Sequence, residues 1–318
     1  MKVVLLSAGL GVRLSPITDS VPKQMISICG KPIIEYVIEQ LIDAEFDEFC
    51  IVLGKNGHLI KNYLNDGKKY NVNIQYVYQK NEKGTADATL FAKDFVKNDP
   101  FFLYLSDTII PNDFADTVKQ MLSSEYPINL ISSKIDMADS KNTGNLIVKK
   151  NEVINISEKP KSKNTNLAWA GVSFFKNNDI FDYIENLKKS HTTEYEITTA
   201  MENTLIDNNH IGNFLSKEFI DYGTISGLLK SLKFIFDNKN FKNSEFESNN
   251  LSKPLFYIGN NCVISNNVQI DSYTSIGDNV TIGNDVHISN SIILDNVKIS
   301  DNQYIVNSVI SKNGTLKI

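Results

Sequence analysis

The chain has 318 residues and one arginine, Arg13; every other basic residue is a lysine. Cysteine is nearly as scarce. Cys29, Cys50 and Cys262 are scattered and odd in number, which argues against a disulfide framework or a zinc site and fits small apolar core residues in a reducing compartment. The four histidines, His58, His191, His210 and His287, form no cluster that would bind a metal or activate a nucleophile. No apolar run is long enough to span a membrane. The run Met1–Ala8 is too short for a signal peptide and is followed at once by Arg13, Pro16, Asp19 and Lys23, so it predicts a first buried strand. A formal net charge of −5 argues against a nucleic-acid surface while permitting a local cationic pocket for a small anion. These absences lead to the expectation of a cytoplasmic globular protein with neither membrane nor nucleic acid as partner. Apolar residues at 42% and charged residues at 22% agree with that class.

Residues 1–236 alternate strand-like and helix-like stretches. Val3–Leu6, Phe49–Leu53, Ile74–Tyr78 and Phe101–Leu105 are apolar runs of strand length. Ile33, Ile34, Val37, Ile38, Leu41 and Ile42 recur at helical spacing after Pro32. Helices are predicted over 58–65, 85–96, 179–188, 196–207 and 224–236, and further strands over 129–134, 145–150 and 168–175. The pattern predicts an α/β fold with a Rossmann-like, mixed but mainly parallel sheet flanked by helices. Ligands of such sheets gather at the carboxyl ends of strands, which directs attention to the loops after Leu6, Tyr78 and Leu105. Residues 237–255, rich in Asn, Lys, Ser and Glu, read as a linker. From 256 to 318 the chain repeats every six residues: Ile258, Ile264, Ile270, Ile276, Ile282 and Ile288 open successive units, and Val268, Thr274, Val280 and Val286 follow four positions later. Such a short, regular spacing predicts a coil in which each unit is one face and each isoleucine points inward. The period slips between Ile288 and Ile299 and resumes at Ile305 and Val309.

The first strand opens into Ser7-Ala8-Gly9-Leu10-Gly11-Val12-Arg13. A dinucleotide-binding turn would add a third glycine and an acidic end to the second strand, but Leu14 and Gly54 stand there, and no Walker lysine motif follows. Instead the loop carries Arg13 and then Pro22-Lys23-Gln24. Backbone amides with two cations would cradle a triphosphate, and a guanidinium grips phosphate oxygens in a bidentate way that an ammonium cannot.

The run Leu6–Thr18, with Pro22-Lys23-Gln24-Met25 and Gly30-Lys31-Pro32, resembles the signature of the sugar-1-phosphate nucleotidylyltransferases, most of all the glucose-1-phosphate thymidylyltransferases. Later segments match in order, and the repeats are similar to the left-handed β-helix found at the C-terminus of some members. The resemblance implies that Ser7, Ala8, Gly9, Gly11 and Arg13 bind the nucleotide, with Gln79, Gly84 and Thr85 reading a pyrimidine. It implies that Asp107 and Asp221 hold Mg2+, and that Gly144, Glu158, Lys159, Gly171, Val172 and Glu194 bind the sugar and its phosphate. Arg13, Lys23 and Lys159 would then carry catalysis by neutralising phosphate charge. The reaction implied is transfer of a nucleotidyl group from dTTP or UTP to a hexose 1-phosphate, most readily glucose 1-phosphate, with release of pyrophosphate.

Other readings stand beside this one. Asp107 and Asp221 could be turn or cap residues, Glu158-Lys159 a solvated pair, Gln79 a loop amide and Gly171 a strand glycine. The substrate pair could be UTP with N-acetylglucosamine 1-phosphate, or a guanylyl donor with mannose 1-phosphate. A regulatory or scaffold subunit would share the fold, but it would be expected to lose Arg13, Lys23 or the aspartates, and all four are present. The coil is expected to build a homo-oligomer and not to transfer acetyl groups. Four positions depart from the family pattern: Val12 for a threonine beside the phosphates, Ser106 for a glycine before the metal aspartate, and Thr192-Thr193 for an arginine and glycine.

Overall fold

The computed structural model describes residues 1–111, 113–137, 139–160, 165–189, 195–238 and 255–318. Contacts divide the chain into two compact units: Met1–Gly9 with Val37–Phe219, and Leu10–Tyr36 with Ile220–Ile318. Among the described residues no helix is long and apolar enough to cross a membrane.

In the first unit, Val3–Leu5 and Phe49–Leu53 are wholly buried, as expected of strands covered on both faces. The sheet has nine strands in the order Asn73–Tyr78, Glu48–Leu53, Lys2–Ser7, Phe101–Leu105, Leu167–Phe175, Ile128–Lys134, Ile211–Ser216, Glu152–Glu158, Gly144–Lys149. The first four are mutually parallel. Leu167–Phe175 then enters antiparallel to Phe101–Leu105, with Val172 opposite Tyr104 and Phe175 opposite Phe101. The sheet is therefore mixed, and the start of this reversed strand lies at the edge where Leu6, Leu53 and Leu105 end. On one face Val4, Leu103, Leu130 and Phe175 pack against the helices Thr85–Leu90, Ile180–Lys189 and Ile197–Ile206. On the other, Phe102 stacks on Phe174 at 4.5 Å and meets Phe46 edge-on, while Tyr104 donates its hydroxyl to Gln40.

Local structure departs from the sequence reading in places. The predicted helix 85–96 is two, Thr85–Leu90 and Lys93–Val96, because Phe91 and Ala92 close tight bonds onto Ala88 and Thr89, three residues back, that break the α repeat. The helix Phe114–Ser123 and the strands Glu152–Glu158 and Ile211–Ser216 were not expected. Glu152–Glu158 hides its alternation because a register shift between Val153 and Asn155 throws Ile154 outward.

In the second unit, residues 10–32 have little regular structure: 3-10 turns at Val12–Leu14, Ile17–Asp19 and Lys23–Met25, and a two-residue hairpin Ser27–Ile28 with Lys31–Pro32, after which the predicted helix Ile33–Asp43 begins. Ile220–Asp221 leads into the helix Ile225–Asn238, and residues from 256 on form the left-handed β-helix. Its three parallel stacks are Phe256–Ile258, Thr274–Ile276, Ser291–Ile293 and Ser308–Ser311; Val263–Ile264, Thr281–Ile282 and Lys298–Ile299; and Gln269–Ile270, His287–Ser289 and Tyr304–Val306. Ile276, Ile282, Ile288, Ile293, Ile299 and Ile305 line the interior. The slip in the repeat is a corner one residue shorter. Ile258 pairs with Ile276, but Ile276 pairs with Ile293, and the left-handed corner residue moves from the third position after the isoleucine (Asn279 after Ile276) to the second (Asn290 after Ile288).

Those corners reveal a signal the isoleucine count overlooked. Asn261, Asn267, Asn279, Asp285, Asn290, Asn296, Asn302 and Asn307 all have positive φ, the conformation short polar side chains tolerate best. Corner side chains also form ladders: Asp278 accepts the Asn260 amide at 2.6 Å, and Asp295 accepts the Asp278 amide at 2.8 Å. We therefore expect Asn302→Gly to leave the coil near its native stability and Asn302→Val to cost about 1–2 kcal/mol, measured by denaturant unfolding.

Candidate active site

The structure places part of the predicted site within each unit. In the second, Gly11 begins the first 3-10 turn at φ 70°, and its carbonyl accepts the Leu14 amide at 2.9 Å and the Thr18 hydroxyl at 2.8 Å. These bonds fold the loop so that Arg13 reaches Asp221, with Nη2 to Oδ2 at 3.1 Å across 208 positions of sequence. The other oxygen of Asp221 accepts the Gly223 amide at 2.8 Å. A Cβ on Gly223 would lie 2.8 Å from Arg13 Nη2, 2.9 Å from Asp221 Oδ1 and 3.4 Å from Lys23 Nζ. Three charged side chains thus meet over a residue that can have none. Lys23 itself is buried, unusual for lysine, whereas Val12 is 71% exposed.

The coil grips this loop. Cys29 donates its amide to the buried Ser275 hydroxyl at 2.8 Å, Asn313 Nδ2 donates to Ser20 Oγ at 2.9 Å, and the Tyr257 hydroxyl lies against Gly30.

In the first unit, Ser7, Ala8 and Gly9 leave the carboxyl end of the first strand, and the buried Ser7 Oγ has no hydrogen-bond partner among the described residues. Asp107 follows Phe101–Leu105 and is half-buried. The departure at Ser106 is absorbed structurally, since its buried hydroxyl donates to the Leu6 carbonyl at 2.6 Å and joins the two strand ends. Gly171 sits in the bulge between Trp169 and Ser173, with Leu105 and Thr108 close by; Val172 accepts the Trp169 indole N–H at 2.9 Å.

The remaining predicted residues join one network. Gln79 Nε2 donates to Asp87 Oδ2 at 2.9 Å and to the Gly84 carbonyl at 3.3 Å. Gly84, at φ 92°, lies so close to the Tyr195 backbone that a Cβ would come within 2.3 Å of its carbonyl oxygen. Thr85 donates its hydroxyl to Glu196 Oε2 at 2.7 Å and accepts the Ile197 amide at 2.9 Å. Lys159 lies 3.0 Å from Glu196 Oε1 and 3.5 Å from Glu158 Oε1. Gly144 stands opposite Glu158 in the sheet, and Thr198 donates to Glu158 Oε2 at 2.7 Å. Glu194 and the Thr192-Thr193 departure lie outside the described residues. The carboxylate that ties the network together is Glu196, which lies in the acidic stretch 194–198 that resembles the family's sugar-contacting segment but was not singled out within it; its signal was its place directly before a helix.

The two carboxyls at Lys159 differ. Burial pushes Glu158 above the ordinary glutamate range, against the bonds from Thr198 and Lys159. Burial acts on Glu196 in the same sense, but the Thr85 hydroxyl, the Lys159 ammonium and the Thr85 amide outweigh it and hold its carboxyl below that range.

Among the described residues no group of three or more His, Cys, Asp or Glu could hold a metal ion. Asp107 and Asp221 offer hard carboxylate oxygens, which suit magnesium when phosphates supply further ligands. Both oxygens of Asp221 already have partners, so a cation there would share an oxygen with Arg13 or displace it.

A protein-family model described as nucleotidyl transferase matches residues 2–238, and one described as the GMPPB C-terminal domain matches 252–317. The chain belongs to the nucleotidyl transferase family, whose members it resembles in sequence being sugar nucleotidyltransferases. It is 35% identical over 250 residues to the low-salt glycan biosynthesis nucleotidyltransferase Agl11 of Haloferax volcanii, covering 76% of this chain and 68% of that protein. It is 30% identical to the UTP–glucose-1-phosphate uridylyltransferase AglF of the same organism, covering 64% and 82%. With the bifunctional protein GlmU of Methanococcus maripaludis it shares 37% identity over 65% of this chain, and it spans about half of that relative, 47%. A solved Bacillus anthracis structure described as a glucose-1-phosphate thymidylyltransferase, in complex with sucrose, superposes with a TM-score of 0.68 at 26% identity, covering 76% of this chain and 97% of that one.

Two outcomes follow from this geometry. Gly223→Ala should separate Arg13 from Asp221 and lower turnover about tenfold or more, measured by steady-state kinetics, with the fold retained. Glu196 contributes stability above the ordinary glutamate value of 4.5, lost as pH falls through its lower folded value. The stability gap between the native protein and Glu196→Gln should therefore close on acidification below 4.5, measured by denaturant unfolding.

Proposed function

We propose that this enzyme transfers a uridylyl or thymidylyl group from UTP or dTTP to a hexose 1-phosphate, with glucose 1-phosphate the first choice, and releases pyrophosphate. The observation that carries the reading is the meeting of Arg13, Lys23 and Asp221 over Gly223, on a loop with the family's phosphate-binding motif. A phosphate oxygen of the sugar phosphate attacks the α-phosphorus of the triphosphate, and the bond from that phosphorus to the bridging oxygen of pyrophosphate breaks. The attacking oxygen is already anionic, so no side chain need remove a proton. Catalysis then rests on alignment and on countering charge. Arg13 and Lys23 counter the charge of the triphosphate beside the Gly11 amide; Ser7, Ala8 and Gly9 are the further residues the family resemblance assigns to the nucleotide, and Lys159 holds the sugar phosphate. Asp107 and Asp221 are the residues that would hold Mg2+, which when bound shields phosphate charge. Gln79, with Gly84 and Thr85, reads the base, while Gly144, Glu158, Gly171 and Val172 line the sugar.

The pairing of UTP with glucose 1-phosphate in the name of AglF supports this choice. The match of residues 252–317 to the GMPPB C-terminal domain keeps a guanylyl donor with mannose 1-phosphate as a second reading. Pyrophosphate release with magnesium, crossing dTTP, UTP, CTP, ATP and GTP with glucose, N-acetylglucosamine, galactose and mannose 1-phosphates, decides between them. Turnover with UTP or dTTP and a hexose phosphate is expected; turnover with GTP and mannose 1-phosphate alone would establish the second reading. Silence across the grid from folded protein would make the chain a regulatory subunit. Arg13→Lys, which keeps the charge and loses the fork, is expected to lower kcat/KM about a hundredfold in the same assay.

A further inference from the structure

Gln79 is 6% exposed and Asp87 is 4% exposed, so their contact is made away from water. A carboxamide has one donor end and one acceptor end, and rotation by half a turn exchanges them. Both groups that face Gln79 Nε2, the Asp87 carboxylate at 2.9 Å and the Gly84 carbonyl at 3.3 Å, are acceptors. Turning the amide over would set its oxygen against two acceptors in a buried place and break two hydrogen bonds, one of them to a charged group. The chemistry of the surroundings thus fixes which end of the amide points toward Asp87.

We propose that Asp87 is the positioning residue for base selection: by holding Nε2, it leaves Oε1 as the only group Gln79 can offer to a nucleobase. This rests on the reading that Gln79 meets the base. An acceptor at that point admits a ring nitrogen that carries hydrogen. Uracil and thymine have N3–H and pass; cytosine has a bare N3 lone pair at the same position and is repelled. Guanine, with its N1–H, satisfies the same test, so the lock sorts bases by one hydrogen and leaves size to the walls of the site. The locked amide differs from a free glutamine, which could rotate to serve cytosine as well as uracil and would discriminate poorly.

Asp87→Asn is the informative substitution, because an asparagine of the same shape can donate or accept and so frees Gln79 to turn. With one fixed sugar phosphate, kcat/KM is measured for UTP, dTTP and CTP in the native enzyme, Asp87→Asn and Gln79→Leu. The native enzyme is expected to prefer UTP or dTTP over CTP, and Asp87→Asn to reduce that preference about tenfold or more while retaining most of its activity with the favoured triphosphate. A preference unchanged in Asp87→Asn but lost in Gln79→Leu overturns the role of Asp87 and leaves the reading of Gln79 standing. A preference unchanged in both overturns the two together. A probe that needs no variant is 3-methyluridine triphosphate, whose N3 carries a methyl in place of hydrogen. The native enzyme should turn it over far more slowly than UTP, and equal turnover would refute the lock even if Asp87→Asn failed to fold.

Discussion

The loop of residues 10–32 cannot hold its own shape, and the organisation of its unit follows from that constraint. Three 3-10 turns and a two-residue hairpin supply few backbone bonds for the residues before the helix Ile33–Asp43, so the loop is held where other elements reach it. Asp221 takes Arg13, the Ser275 hydroxyl takes the Cys29 amide, and Asn313 reaches Ser20. Lys23 falls between the last two attachments. The coil, whose parallel stacks make it rigid, thereby sets the path of the segment that carries both loop cations. The Arg13–Asp221 pair contributes little to this as energy, since both side chains are substantially exposed and water screens them. Its importance is directional: a planar fork bound along one edge has a fixed heading for the rest of its donors.

How the sequence records these features depends on which residues bear the constraint. The coil was legible because each of its faces must put an aliphatic residue inward, and a six-residue period has no other simple cause. Its corners were equally written, in Asn279, Asn296 and Asn302, but a positive φ shows in a sequence only to a reader looking for short polar residues at fixed intervals. The parallel strands were plain because burial on both faces makes them continuously apolar. Glu152–Glu158 was obscure because one bulge exposes Ile154 and spoils the alternation, and Ile211–Ser216 because Gly212 and Asn213 interrupt it.

Within the candidate site, residues that stand in a motif were legible in the sequence and residues that serve another residue were not. Arg13, Gln79 and Lys159 stand in recognisable runs. Gly223, Asp87 and Glu196 matter through what they touch, across 210, 8 and 37 positions. A close approach such as that of Gly223 to Arg13 leaves no trace in spacing, and a buried carboxylate such as Asp87 reads from sequence as one more polar residue on a helix. Of the acidic stretch 194–198, Glu194 was the residue singled out for the sugar and lies outside the described residues, while Glu196, two positions on, is where the described network converges.

If Lys159 serves a phosphate as proposed, the contacts of Glu196 bear on what is left behind, since Glu196 is partly buried and Lys159 about half exposed. Lys159 is nearer to Glu196 than to Glu158, and burial already favours the neutral form of Glu158. If a sugar phosphate draws Lys159 away, the carboxylate that loses the most is Glu196. It keeps two other bonds, from the hydroxyl and the amide of Thr85, as Glu158 keeps the one from Thr198. An ion pair whose acid had no second partner would resist opening, because the uncompensated charge would cost several kcal/mol in a buried place. Here the exchange is between one carboxylate and a phosphate of greater charge, and the acid left behind remains hydrogen-bonded. The same bonds hold the segment after Gly84, so Glu196 is a side chain that touches both Lys159, proposed for the sugar phosphate, and the segment proposed to read the base.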